Sequence, residues 1–283
     1  MLINLKEILV LAEEKKCAIG SFNTPNLESL MAVLQTAEQF NIPVIINHAQ
    51  IHEEVMPLDI IGPIMVGMAK KSSVPVCVHL DHGEDLNYLQ HALELGFTSV
   101  MYDGSVLPYE SNVANTQQVV KMAEKFSAGV EAELGVIGGR ETGDGKGKNS
   151  GQYTDPILAM KFVEETNIDA LACSFGTAHG FYTVKPVLDL DRINKIRDMT
   201  KMPLVMHGGS GINPADYKKS IANGIRKINY YSYMSKAGVL GVKDYLTNNN
   251  DVQYFHDVAN VAIKSMMDDL IETVKIFYNL LER

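Results

Sequence analysis

The stretch Val76-Cys77-Val78-His79-Leu80-Asp81-His82-Gly83 reads as a strand that ends in chemistry. Apolar and β-branched side chains fill its first half, as a half-buried or buried strand requires. Asp81 and His82 then close it, and Gly83 lets the chain turn. As neighbours on an extended chain, Asp81 and His82 are expected on different sides of the strand, which would stand a metal ligand beside an acid/base group. Two further strand-like runs end in a histidine followed directly by glycine: His179 in Cys173-Ser174-Phe175-Gly176-Thr177-Ala178-His179-Gly180, and His207 in Pro203-Leu204-Val205-Met206-His207-Gly208-Gly209-Ser210-Gly211. Three neutral imidazoles with one open position form a common catalytic zinc arrangement.

The same pattern, a helical stretch, a turn, a short β-branched run and a polar or glycine-rich loop, recurs along the chain. Strands are expected at 18–23, 43–47, 75–81, 99–103, 129–135, 170–176, 203–207 and 226–229, with amphipathic helices such as 26–40, 86–95, 112–126, 156–166, 190–200 and 214–223 between them. Asp155-Pro156 and Asn213-Pro214 pair a capping residue with proline at the first helical position. Such alternation demands parallel strands, because each crossover helix returns the chain to the same end of the sheet. Eight units in 283 residues predict a (β/α)8 TIM barrel spanning 1–283 as one α/β domain with a C-terminal helical extension at 252–283. A doubly wound open sheet is the alternative. The barrel is preferred because polar residues close nearly every run at its C-terminal end, where barrel active sites lie.

Composition narrows the function. A chain that is 46% hydrophobic and 21% charged is that of an ordinary globular protein. Its net charge of -9 speaks against a sequence-independent grip on nucleic acid. Charges at Lys6 and Glu7 stand where a signal peptide needs an apolar core, and no apolar run reaches the ~18 residues of a membrane span. Three widely spaced cysteines, Cys17, Cys77 and Cys173, fit reduced thiols. A cytoplasmic protein without nucleic-acid or membrane partners is expected.

Glu131 and Glu133 share one face of the fifth strand. Burying both requires cations or a metal, which makes Glu133 a candidate metal ligand or a group that orients one. Asp103 ends strand four and is placed to orient a metal-bound histidine. Gly208-Gly209-Ser210-Gly211 after strand seven, with Asn229 and Ser232 around the end of strand eight, occupy the usual phosphate cradle of a barrel. Gly138-Gly139-Arg140-Glu141-Thr142-Gly143 reads either as a surface loop or as a lid carrying Glu141 over the substrate, and 143–151 as a flexible loop. His91 and His256 fall in helical stretches as surface or packing residues, whereas Asn47-His48-Ala49-Gln50 ends strand two at the mouth.

Taken together, Phe22-Asn23, the His79–Gly83 string, Glu131-Ala132-Glu133-Leu134-Gly135 with Gly138-Gly139, residues 176–182 and residues 207–211 resemble the class II, zinc-dependent ketose-bisphosphate aldolases. The resemblance runs along nearly the whole chain. It implies that His82, His179 and His207 hold a catalytic Zn2+, with Glu133 as an additional metal-coordinating group. It further implies a second metal position and a monovalent cation. By the same resemblance Asp81 is the acid/base at the substrate's C4 oxygen, and Glu141 moves the proton at the donor carbon. Gly180, Gly208, Gly209, Ser210, Asn229 and Ser232 would hold a dihydroxyacetone phosphate half, with Asn23, Asp103 and Tyr231 as further substrate-side or orienting positions. The implied reaction is cleavage of fructose 1,6-bisphosphate, with tagatose 1,6-bisphosphate close behind, by a homodimer or homotetramer of carbohydrate metabolism. The chain departs from the family at Tyr231, Arg140 and Asn47–Gln50. Tyr231, lacking a carboxylate, is expected to shift discrimination among sugar epimers.

Overall fold

The computed structural model describes residues 1–138 and 152–280. Strands β1 (Ile19–Asn23), β2 (Val44–Ala49), β3 (Val76–Gly83), β4 (Ser99–Tyr102), β5 (Gly129–Leu134), β6 (Ala170–Cys173), β7 (Leu204–Met206) and β8 (Ile225–Tyr230) are all parallel. They close in sequence order into a barrel, β8 returning to β1. The chain is therefore a (β/α)8 barrel, not an open sheet.

Helix α1 (Leu5–Lys15) precedes the first strand and touches β1, β3, β5 and β8. Around the barrel follow α2 (Leu27–Phe40), α3 (Leu58–Lys71), α4 (Leu86–Glu94), α5 (Tyr109–Glu124), α6 (Pro156–Thr166), α7 (Leu190–Thr200), α8 (Pro214–Ala222) and α9 (Ser232–Asn248). The tail forms α10 (Phe255–Phe277), which packs on α9 and α2. Asp155 caps α6 through Ile157 N and Leu158 N, and Asn213 caps α8 through Asp216 N, each ahead of its proline. Helix α3 carries Pro63 in its interior, a residue that argues against helix in a sequence reading. Strand β6 stops at Cys173, short of the expected Gly176, whose φ of 118° leaves the strand region. The cysteines are buried and free. Among the described residues, no helix is long and apolar enough to cross a membrane.

Barrel interiors are usually filled by branched aliphatic side chains. Here much of the filling is polar: Ser21, Asn47, His79, Asp81, Ser99, Glu131, Lys227 and Asn229 are all buried. Burial of such groups is tolerable only when they satisfy one another. Ser21 Oγ donates to Asn47 Oδ1 at 2.9 Å, and His79 Nδ1 lies 2.7 Å from Ser99 Oγ. Lys227 Nζ donates to Asn229 Oδ1 at 2.8 Å and pairs with Glu131 Oε2 at 2.9 Å. Lys227 is thus the cation that the buried Glu131 requires. Burial opposes ionisation of Glu131, but Lys227, His207 and His79 outweigh it and bring its pKa down to about 2.

Replacing Lys227 by Met leaves Glu131 buried without its cation. Such breaks are expected to destabilise the fold by about 3–5 kcal/mol. Glu131 in the variant would hold its proton to higher pH than in the unfolded chain. Urea unfolding should therefore show a larger deficit at pH 8 than at pH 5. An equal deficit at both pH values would show that Glu131 is not the group left exposed to the loss.

Candidate active site

The C-terminal end of β3 departs from simple alternation. Its register against β4 shifts between Leu80 and Gly83, and His82 adopts φ 46°. That left-handed conformation is uncommon for a residue with a Cβ. Asp81 and His82 were expected on different sides of the strand. Instead His82 Nε2 meets His207 Nδ1 at 2.8 Å while Asp81 shares Asn229 Nδ2 with that same ring, so both side chains converge on His207.

Asp81 is fully buried and held between neighbouring strands: Oδ1 accepts from Asn229 Nδ2 at 3.0 Å, and Oδ2 from Asn23 Nδ2 at 3.3 Å. Burial alone would raise its pKa. His82, His207, Lys227 and His79 outweigh that and hold it below the usual carboxylate range. Asp81 is therefore an ionised acceptor fixed in place.

His82 Nδ1 lies 2.8 Å from Asp103 Oδ2, and His207 Nε2 lies 2.8 Å from Glu131 Oε1. A carboxylate partner takes the N–H of an imidazole, which fixes the tautomer. The lone pairs are then left on His82 Nε2 and His207 Nδ1, and these two atoms face each other at 2.8 Å. Two lone pairs at that separation repel unless a proton or a metal ion lies between them. His179 Nε2 stands nearby, buried and without a hydrogen-bond partner in the structure. Donor atoms of the three histidines all lie within 4.8 Å of one another, and their rings stand at 79°, 80° and 89° to each other. Burial, with His82 and His207 close by, pushes the His179 pKa well below its ordinary value and keeps the ring neutral. Neutral imidazole is the form that binds metal. The donor set fits a tetrahedral ion with one position open.

Glu133 joins a second cluster, with His82 and Asp103, whose donor atoms also lie within 4.8 Å of one another. Burial, and Asp103 beside it, raise its pKa well above the carboxylate range, and Oε2 has no partner. It is a buried acid in want of a cation. These side chains border a cavity of about 480 Å³, which Gln50, Glu84, Ser105 and Ile137 also line.

On the other side of His179, a hollow of about 10 Å³ is lined by Asn23, Gly180, Gly208, Ser210, Asn229, Tyr231 and Ser232. That is room for about one water. Gly208 (φ 61°) packs so closely that a Cβ would come within 2.3 Å of Ala178 O. Gly209 N donates to Asn229 O at 3.1 Å, and Ser210 Oγ accepts from Tyr231 N at 2.9 Å. The hollow lies where α9 begins at Ser232, so it faces a helix N-terminus. Tyr182 Oη accepts from Ala178 N and donates to Gly208 O, both at 2.8 Å, and so stitches two loops together.

The structure brings together every site residue expected from the sequence except Glu141. That residue, with Gly139, Arg140 and residues 143–151, lies outside the described residues. Tyr231 lines the small hollow with its ring edge-on to His52, 5.4 Å between centroids. The wall of the larger cavity is made by other residues. Lys227 was not singled out in sequence, and Tyr182 and Gln50 were named only as the ends of longer stretches. Only the unpaired acidity of Glu131 hinted that a lysine such as Lys227 must point inward.

A parallel barrel whose mouth holds three converging imidazoles, a fixed carboxylate and a glycine-lined hollow has the parts of a metal-assisted enzyme. The chain belongs to the class-II fructose-bisphosphate aldolase family, whose model matches residues 3–279, and it is accordingly an aldehyde-lyase. It is similar to a sulfofructosephosphate aldolase of Alkalicoccus urumqiensis, 36% identical over 97% of this chain and 96% of the other. It is equally similar, at 36% identity over 97% and 94%, to a 6-phospho-5-dehydro-2-deoxy-D-gluconate aldolase of Halalkalibacterium halodurans. The crystal structure of the YdjI aldolase from Escherichia coli K12 superposes with a TM-score of 0.87, at 34% identity over 98% and 97% of the two chains.

Asp103 fixes the His82 tautomer, so Asp103→Asn is expected to weaken binding of a divalent metal ion by about 10–100-fold while the barrel still folds. Competition against a chromophoric chelator measures this. Unchanged affinity would remove His82 from the ligand set or Asp103 from its support.

Proposed function

We propose that this aldolase cleaves a ketose 1-phosphate reversibly, with dihydroxyacetone phosphate as one product and zinc held by His82, His179 and His207. One observation carries the reading: His82 Nε2 and His207 Nδ1 face each other at 2.8 Å while His179 Nε2 stands buried and unpartnered beside them. Bound zinc would supply a Lewis acid for the ketone oxygen. Glu133, clustered with His82 and Asp103, is the candidate for a further coordinating position or second ion. A monovalent cation would be a further accessory.

The chain's own residues divide the remaining work. Asp81, ionised and clamped by Asn23 and Asn229, takes the C4 hydroxyl proton as the C3–C4 bond breaks. Glu141 is proposed to return a proton to the donor carbon. Gly180, Gly208, Gly209, Ser210, Asn229 and Ser232 hold the donor phosphate, supported by the glycine close packing and the start of α9.

Fructose 1,6-bisphosphate is the first substrate to assay and tagatose 1,6-bisphosphate the second. The named relatives act on other sugar phosphates, so the aldehyde half is the open variable. A cytoplasmic homo-oligomer is the setting that the free cysteines and the family resemblance favour.

Asp81→Asn keeps the shape and removes the base. The variant should fold, retain zinc, and lose about 10²–10⁴-fold in turnover, followed as dihydroxyacetone phosphate release. Near-normal turnover would move the proton transfer to another group. Trapping no aldehyde from any ketose phosphate would favour an isomerase or epimerase over carbon–carbon cleavage.

A further inference from the structure

We infer that the aldehyde released by this enzyme carries no phosphate: the substrate is a ketose monophosphate whose distal end is an uncharged polyhydroxy chain, and Gln50 and Glu84 set that preference. The inference rests on the donor-half reading above and extends it to the opposite end of the substrate.

The donor hollow lies on one side of His179, so the aldehyde must occupy the cavity of about 480 Å³ on the other. A phosphate there would need cationic side chains or unoccupied backbone N–H groups. The acidic side chains on the wall are Glu84, Asp103 and Glu133, of which Glu133 is held protonated by burial, and no Lys or Arg lines it among the described residues. Several N–H donors around the wall are taken by the protein's own oxygens. Gln50 Oε1 accepts from Glu84 N at 2.8 Å and from Asp85 N at 3.3 Å, which occupies the approach to α4. Asp85 Oδ1 accepts from Asn87 N at 2.8 Å, and Asp103 Oδ1 from Ser105 N at 3.1 Å. Ile137 N donates to Glu133 Oε1 at 3.4 Å.

A phosphate entering this cavity would therefore meet carboxylates and find the N–H groups of Glu84, Asp85, Ser105 and Ile137 already bonded. Hydroxyl groups fare differently. They donate to carboxylates such as Glu84 and exchange hydrogen bonds with Ser105, so an uncharged polyol suits the wall. The contrast with the donor end is one of charge: glycine-lined backbone there, carboxylates here.

The test runs the reaction as condensation on the zinc-loaded protein, with dihydroxyacetone phosphate as donor. Two acceptor pairs are compared: D-glyceraldehyde with its 3-phosphate, and D-erythrose with its 4-phosphate. The unphosphorylated member of at least one pair is expected to show kcat/KM about tenfold higher or more, since like charges at contact distance disfavour binding by at least that factor. Raising ionic strength should narrow the gap by helping only the phosphorylated acceptors. The double variant Gln50→Ser with Glu84→Gln, which frees the two N–H groups and removes a charge, should raise relative use of the phosphorylated acceptor about tenfold. Equal or better use of the phosphorylated member in both pairs overturns the inference. Deuterium exchange from solvent into dihydroxyacetone phosphate without any aldehyde separates the two readings. If exchange occurs and phosphorylated acceptors win, this inference alone falls. If exchange is absent, the donor reading falls and takes the inference with it.

Discussion

Everything at the mouth of this barrel depends on a carboxylate buried on its axis. Glu131 reaches Lys227 through one oxygen and His207 through the other, and all three side chains are sealed from solvent. The lysine keeps the carboxylate charged, and the charged carboxylate takes the N–H of His207 Nε2. His207 Nδ1 is left as the lone-pair nitrogen, with His82 Nε2 at 2.8 Å and Asn229 Nδ2 at 3.3 Å. A buried ion pair is weak evidence for stability, because desolvation offsets much of its attraction. Its value here lies in what it fixes: the tautomer of one imidazole among three.

Asp103 does the same for His82 from the rim, and the β3 bulge supplies the geometry that lets it. Without the positive φ at His82, strand alternation would direct the imidazole away from the mouth and leave His207 facing Asp81 alone. The strain of one residue is held by a strand paired on both sides. Asp81, one position earlier, stays on the regular part of the strand, where amides from β1 and β8 clamp it. Acid and ligand thus sit side by side for different reasons, one by regular pleat and the other by its interruption.

The site has two ends of opposite character. Toward β7 and β8 the wall is backbone: close-packed glycines, a helix start and Tyr182 tying two loops. Toward β3 to β5 it is acidic, and several of its N–H groups are already engaged by Gln50, Asp85, Asp103 and Glu133. A molecule phosphorylated at one end and hydroxylated at the other matches that polarity.

Much of this was legible in the sequence because it is local. A β-branched run ending in His-Gly is a property of consecutive residues; three runs end so, and eight strand-like runs in alternation leave few topologies open. Asp155-Pro156 and Asn213-Pro214 likewise announce their helices from adjacent residues. Helix α3 was harder to see, since Pro63 disfavours a helix that tertiary packing nonetheless sustains. The bulge at His82 could not be read at all, because a register shift is a relation between two strands. Nor could the partner of Glu131: the period-two pattern put two acids on one face, but only closure of β8 onto β1 carries Lys227 across the barrel to meet one of them. Sequence determined which chemical groups stand at the strand ends. The tertiary structure decided which of their atoms face each other, because that depends on contacts between strands far apart in the chain.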